Sequence, residues 1–175
     1  QLGRRIGAET LYKYYQAFGF FDKTGIELPQ EASSTYWDLE DVGDVELATM
    51  SFGQRFTITP IQLVSAVSAI ANDGILMKPR IVKQITNTDT GSISEVPVTQ
   101  VRQVISKQTS QQVKSMMESV VTNGTGRHAA VSGYSIGGKT GTSEPVYTRT
   151  EEGYVASYVA ISPVEDTQVV LLLTL

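Results

Sequence analysis

The sequence predicts an α+β fold. Three segments carry apolar residues at helical spacing, and two runs rich in β-branched and aromatic residues follow a glycine cluster near the end of the chain. Hydrophobic residues make up 41% and charged residues 18% of the 175 residues. A chain of that size and composition buries a core and is not disordered.

Leu2, Ile6, Leu11, Tyr14, Tyr15 and Phe18 give one rough apolar face, so a helix is predicted from Leu2 to Phe18. Gly25 to Asp44 contains Pro29 and a polar run and reads as irregular loop. Thr59 as N-cap and Pro60 at the first helical position start a second helix through Leu63, Val64, Val67 and Ile70. Asn72-Asp73-Gly74 stops it. Arg80 to Thr86 and Val96 to Ile105 read as strands joined through Asp89-Thr90-Gly91. Ser106 caps a third helix carrying Val113, Met116, Met117, Val120 and Val121, which ends at Asn123-Gly124. Both methionines are expected in the core. Tyr154 to Ile161 and Gln168 to Leu173 read as a strand pair, the second with both faces covered. No internal repeat is visible.

Composition excludes several function classes. A net charge of −4, with no basic run, argues against nucleic acid as a partner. There are no cysteines, so no disulfide stabilises the chain. The longest strongly apolar run, Val169 to Leu173, is far too short to cross a bilayer. No metal site or organic cofactor is implied.

Gly137-Gly138-Lys139-Thr140-Gly141-Thr142-Ser143-Glu144 is the segment that carries chemistry. Gly133, Gly138, Lys139 and Thr140 fit a phosphate-binding loop, which requires a strand before and a helix after. The residues after it include Gly141, Pro145 and Gly153, with β-branched and aromatic residues between, which start no helix. Gly133-Tyr134-Ser135-Ile136-Gly137 fits a nucleophile elbow, which requires an acid and then a histidine later in the chain. The only histidine, His128, comes before Ser135, so Ser135 is read as a strand residue beside glycines. The third reading is a K-T-G triad on an edge strand, where Gly137, Gly138 and Gly141 let a peptide backbone come close.

The order of further segments supports the third reading. These are Phe18-Gly19-Phe20, Lys23-Thr24-Gly25-Ile26-Glu27-Leu28-Pro29, Ser51-Phe52-Gly53-Gln54 and Ile58-Thr59-Pro60-Ile61-Gln62-Leu63. Asn72-Asp73-Gly74, Asn123-Gly124-Thr125-Gly126, the triad itself and Val155-Ala156-Ser157-Tyr158-Val159-Ala160 complete the set. Over nearly its full length the chain resembles the transpeptidase domain of class B penicillin-binding proteins. That family's fold is the penicillin-binding/serine β-lactamase-like one, with a five-stranded antiparallel sheet flanked by helices. Three of its five strands are expected here.

The resemblance also marks what this sequence lacks. No lysine has a serine three residues before it, and no asparagine or aspartate has a serine two before it. The Ser-x-x-Lys nucleophile motif and the Ser-x-Asn motif are therefore absent. The chain is expected to be the C-terminal part of one domain, with residues 1–132 a helical and loop region with a hairpin, and 133–175 the K-T-G strand and two more.

The family's roles carry over residue by residue. The resemblance assigns Lys139 as the catalytic cation and the Thr142 backbone N–H as an oxyanion donor. It assigns Thr140, Gly141 and Ser143 to substrate binding, with no nucleophile in this chain. Ser51-Phe52-Gly53-Gln54 is read as architectural, His128 as solvent-facing and Glu144 as a possible cleft residue. The implied activity is D,D-transpeptidation of the D-Ala-D-Ala stem of peptidoglycan, with β-lactams as covalent ligands. The implied location is the outer face of the bacterial cell membrane, anchored by a segment outside this chain. The expected partners are the N-terminal half of the domain and, through the final strand, a second copy. A β-lactam sensor, a hydrolase of the same fold and a non-catalytic binding module remain as alternatives.

Overall fold

The computed structural model describes residues 1–143 and 154–175. It divides into two compact units. The first comprises residues 1–65 and 75–104; the second comprises residues 66–74 and 105–175.

The first unit opens with two helices, α1 (Leu2–Ile6) and α2 (Ala8–Ala17), where the sequence predicts one. Gly7 divides them with φ 82° and ψ 162°, a backbone conformation open to glycine and not to a helical residue. The break turns the apolar face of α2 so that Leu11 and Tyr12 are buried while Tyr14 is exposed. A helix not read from the sequence, α3 (Asp44–Met50), packs against them. Leu47 and Met50 join Leu11 and Tyr12 in one core, ringed by Tyr15, Phe21, Val42 and Phe56. Two tyrosines lock it: Tyr12 Oη donates to the Trp37 carbonyl at 2.5 Å and Tyr15 Oη to the Met50 carbonyl at 2.7 Å. Ser51-Phe52-Gly53-Gln54 forms the turn that ends α3, with the Gln54 N–H donating to the Thr49 carbonyl at 3.1 Å.

Helix α4 (Pro60–Ala71) begins as predicted. The Gln62 N–H donates to Thr59 Oγ1 at 3.2 Å, while Gln62 Oε1 accepts from the Thr59 N–H at 2.7 Å, a reciprocal cap. Gln62 then serves a second purpose. Its buried amide nitrogen, with two hydrogens to share, lies within hydrogen-bond distance of the Phe20 and Asp22 carbonyls and Ser34 Oγ, at 3.1, 2.9 and 2.7 Å. The 20–34 loop is thereby held to α4, and the Glu31 carboxylate ties Thr24 and Gly25 inside that loop.

The hairpin prediction needs correction. Gln84–Thr86 (β2) pairs not with the 96–105 run but with Ile93–Glu95 (β3). Gln100–Gln103 (β4) pairs instead with Ile75–Met77 (β1), a strand the sequence did not reveal. The Asn87 side chain explains the tighter turn, accepting from the Asp89 and Thr90 N–H groups at 2.9 and 3.0 Å.

The second unit is a helix on a sheet. The end of α4 closes with Asp73 at φ 52° and the Gly74 N–H bonded to the Ala69 carbonyl at 2.8 Å. Helix α5 (Lys107–Asn123) starts at Ser106, whose Oγ accepts from the Thr109 N–H at 3.1 Å. It buries Ser110, Lys114, Met117 and Val121, all on one face. Met117 is core as predicted, but Met116 is 65% exposed, because the buried face runs through two polar positions instead. The sheet is antiparallel in the order β5 (Gly137–Ser143), β6 (Val155–Ser162), β7 (Val169–Thr174). Strand β7 departs from expectation: Val169, Leu171 and Leu173 are exposed while Val170 and Leu172 are half-buried. One of its faces has cover and the other has none among the described residues.

Candidate active site

The triad lies in the middle of β5. The strand's position is fixed from behind by the absence of side chains. A Cβ on Gly137 would stand 3.1 Å from Met117 Cβ and 3.2 Å from the Glu118 nitrogen, so α5 approaches to within backbone contact. A Cβ on Gly138 would stand 2.5 Å from Tyr158 Cζ and 2.9 Å from the Val159 carbonyl oxygen. Tyr158 thus occupies space that only glycine leaves at that position. Its hydroxyl is buried with no hydrogen-bond partner among the described residues, and burial pushes its pKa up.

Among the described residues strand β5 lies at the edge of its sheet. It pairs with β6 on one side, and among the described residues no strand pairs with its other side. The direction of its backbone groups follows from β6. Ala156 exchanges both backbone hydrogen bonds with Leu175, at 3.0 and 2.9 Å. In an antiparallel sheet the N–H and C=O of one residue point to the same side. Ala156 therefore turns away from Thr142, its partner on β5. Thr142 accordingly directs its N–H and carbonyl to the side away from β6, and by alternation Thr140 and Gly138 do the same. Lys139 Nζ reaches the Thr140 carbonyl at 2.7 Å, as an outward-facing carbonyl permits.

Lys139 is exposed and Thr140 half-buried. Thr140 Oγ1 lies 3.4 Å from Thr125 Oγ1, in the turn after α5. Thr125 belongs to the Asn123-Gly124-Thr125-Gly126 segment, but sequence reasoning gave it no contact with the triad. Ser157 was also missed: its Oγ lies 3.5 Å from the Gly141 carbonyl, and a Cβ on Gly141 would come within 2.7 Å of it. Cross-strand register alone could have paired them.

The other candidates separate cleanly. His128 is exposed on a short turn, Arg127–Ala129. Ser135 lies just before β5 rather than in it. Its Oγ accepts from the Val164 N–H and approaches Glu118, and its carbonyl accepts from Ser162 Oγ, so it fastens the β6–β7 turn to the sheet. Glu144 lies outside the described residues. A strand, not a helix, follows Lys139 and Thr140, so the phosphate-loop reading has no helix N-terminus to work with. Among the described residues no group of three or more His, Cys, Asp or Glu side chains gathers as metal ligands. No described helix is long and apolar enough to cross a membrane.

The penicillin binding protein transpeptidase domain model matches residues 1–175. The chain belongs to that family. It is 43% identical over 175 residues to stage V sporulation protein D of Bacillus subtilis, covering 98% of this chain and 27% of that protein. It is 30% identical to PbpB of Mycolicibacterium smegmatis, covering 97% of this chain and 28% of the relative. The chain thus spans little more than a quarter of these curated relatives. Penicillin-binding protein 3 of Mycobacterium tuberculosis, solved in complex with ampicillin, superposes with a TM-score of 0.92 at 31% identity. That match covers 99% of this chain and 41% of the solved one. The fold is accordingly the α+β penicillin-binding fold predicted from the sequence.

Proposed function

We propose that this chain supplies the K-T-G wall of a serine-type peptidoglycan D,D-transpeptidase, with the nucleophile contributed from outside residues 1–175. The observation that carries the proposal is Lys139 and Thr140 set next to each other on β5, followed by Gly141, on a strand that lies at the edge of its sheet among the described residues. An acyl-D-Ala-D-Ala stem laid along that edge continues the sheet by one strand. Gly141 leaves room for it. The Thr140 hydroxyl takes the terminal carboxylate, and the Lys139 ammonium supplies the opposite charge. Ser143 lines the far end of the same strand.

As the serine attacks the penultimate carbonyl, negative charge gathers on that oxygen. The Thr142 N–H is one donor for it, and the nucleophile's own N–H is the second. Such a donor is typically worth about 3 kcal/mol of barrier. Lys139 also lowers the cost of moving a proton beside the carboxylate. The D-Ala–D-Ala amide bond then breaks, the terminal D-Ala leaves with the serine's proton on its amine, and the amine of a second stem cleaves the acyl-serine ester; a β-lactam presents the same carboxylate and carbonyl, but the amine freed from its ring stays tethered and the reaction stops at the acyl-enzyme. The reaction lies outside the cytoplasmic membrane, and residues 1–175 form the C-terminal part of one transpeptidase domain.

The test is the second-order rate of acylation by a fluorescent penicillin, measured on the protein as its host makes it. Lys139→Ala and Thr140→Ala should each slow acylation by roughly 10- to 100-fold. Because Lys139 is exposed and Thr140 half-buried, the melting temperature should move by less than about 3 °C. Wild-type acylation in both variants would reduce the triad to surface residues.

A further inference from the structure

Thr140 has one hydroxyl hydrogen, and the site asks it to go to an anion. What decides where that hydrogen points lies off β5. Thr140 Oγ1 stands 3.4 Å from Thr125 Oγ1, and either oxygen can be the donor. Thr125 sits in the turn after α5, between Gly124 and Gly126, and is exposed. Backbone hydrogen bonds hold that turn without help from its side chain. The N–H groups of Gly124 and Gly126 both donate to the Val120 carbonyl, at 3.1 and 3.0 Å, and the Ala129 N–H donates to the Gly126 carbonyl at 2.9 Å.

The spacing between the turn and the strand has its own cause. A Cβ on Gly126 would stand 3.1 Å from Tyr158 Oη and 3.2 Å from Val120 Cγ1. The same Tyr158 side chain fills the space that Gly138 leaves on β5. One rigid ring thus packs against both the turn and the strand, and sets how far Thr125 stands from Thr140. Their separation is longer than the roughly 2.8 Å of a settled O–H···O bond. Hydrogen bonds of this kind tighten when the substrate is bound. A β-branched side chain has few χ1 choices, so the Thr125 hydroxyl is kept near that position.

We propose that Thr125 is a positioning residue for the triad: its hydroxyl donates to Thr140 Oγ1 and so turns the Thr140 hydrogen toward the carboxylate of the stem peptide or β-lactam. This rests on the reading of β5 as the wall that receives the substrate. The direction follows from counting hydrogens. Once Thr140 donates to an anion it has none left for Thr125, so Thr125 is the donor of the pair. A hydroxyl that accepts one hydrogen bond is a stronger donor in the next, so the anion is held better than Thr140 alone would hold it. No proton changes hands between the two residues. Thr125 acts on the orientation and polarisation of Thr140 and does not itself touch the reacting atoms.

The experiment is a double-mutant cycle on the protein as its host makes it, read as the second-order rate of acylation by a fluorescent penicillin beside a thermal melt. Thr125→Val keeps the side-chain shape and removes the hydroxyl, and it should slow acylation about 3- to 10-fold with little change in the melt. Thr125→Ser restores a hydroxyl and should recover most of the rate. Thr140→Val should slow acylation by itself. Adding Thr125→Val to Thr140→Val should change the rate by less than about twofold, because the hydroxyl that Thr125 serves is gone. Wild-type acylation in Thr125→Val, an equal loss from Thr125→Val whether or not Thr140 is present, or no recovery in Thr125→Ser overturns the proposal and leaves the K-T-G reading standing. Wild-type acylation in Thr140→Val overturns both. Thr125→Ala carries the same comparison if Thr125→Val does not fold.

Discussion

Gly138→Ala is a one-carbon change whose consequence can be worked out from the structure. No positive φ is involved at Gly138, so the backbone itself tolerates alanine. On that ground alone the change should stabilise by about 0.4–1 kcal/mol, through the unfolded chain. The new methyl, however, would stand 2.5 Å from Tyr158 Cζ and 2.9 Å from the Val159 carbonyl oxygen. Ordinary carbon contacts lie near 3.5–4.0 Å, so β5 or the tyrosine ring must shift by roughly 1 Å. Neither gives easily, since the ring is rigid and the carbonyl belongs to the neighbouring strand. Overpacking of this kind costs about 1–3 kcal/mol, which outweighs the entropic gain. The melting temperature should therefore fall by roughly 2–10 °C. The kinetic effect should be larger, because a displacement of about 1 Å in a positioned group can cost on the order of 100-fold. The assay is acylation by a fluorescent penicillin, run beside a thermal melt. Tyr158→Leu, combined with Gly138→Ala, removes the ring and should recover part of the loss. Acylation within twofold of wild type, with an unchanged melt, would refute the claim that Tyr158 and Gly138 together set the position of the triad strand.

Two further outcomes rest on the first unit. Gln62→Leu removes a buried amide that lies within hydrogen-bond distance of Phe20, Asp22 and Ser34 and accepts from the Thr59 backbone. The Asp22 carbonyl and the Thr59 N–H lose this partner, while Ser34 Oγ still donates to the Phe20 carbonyl; at about 1–2 kcal/mol for each of the two, thermal and denaturant melts should show a loss of roughly 2–4 kcal/mol, and a loss under about 1 kcal/mol would mean that water replaces the amide. Burial, together with Tyr12 beside it, pushes the Tyr15 pKa up to about 12. The fold therefore favours the neutral phenol, and its contribution is complete below pH ~10 and lost as pH rises toward 12. Tyr15→Phe should be less stable at neutral pH, having lost the bond to Met50, yet should show a shallower decline between pH ~10 and ~12. An identical alkaline slope in both proteins would contradict the assignment.

Much of the fold was legible because it is written in local signals. Thr59-Pro60 and Ser106 are strong helix starts, Asn72-Asp73-Gly74 and Asn123-Gly124 are strong stops, and all four fall where expected. The β5–β6–β7 order followed from a glycine cluster ahead of two β-rich runs. The failures are of another kind. Gly7 interrupts a helix whose apolar spacing continues across it, so periodicity alone could not show the break. The three-residue strand Ile75–Met77 captures β4, and strand partners of that length are chosen by tertiary packing rather than by sequence. On α5 the buried face includes Ser110 and Lys114, so counting apolar residues placed Met116 inside and passed over the buried lysine. At the site, the triad residues were legible as a motif. The outward turn of Thr142 was not, because it depends on the hydrogen bonds between Ala156 and Leu175 on the far side of β6.

The division of labour in the proposed site can be tested in one measurement. The protein as its host makes it is incubated with a penicillin, digested, and the acylated peptide is located by mass spectrometry. The acyl group should fall on a serine outside residues 1–175, and Lys139→Ala should reduce the yield at short times without moving it. An acyl group on Ser135, or on any other residue of this chain, would contradict the reading of these residues as the wall that receives the substrate and not the group that attacks it.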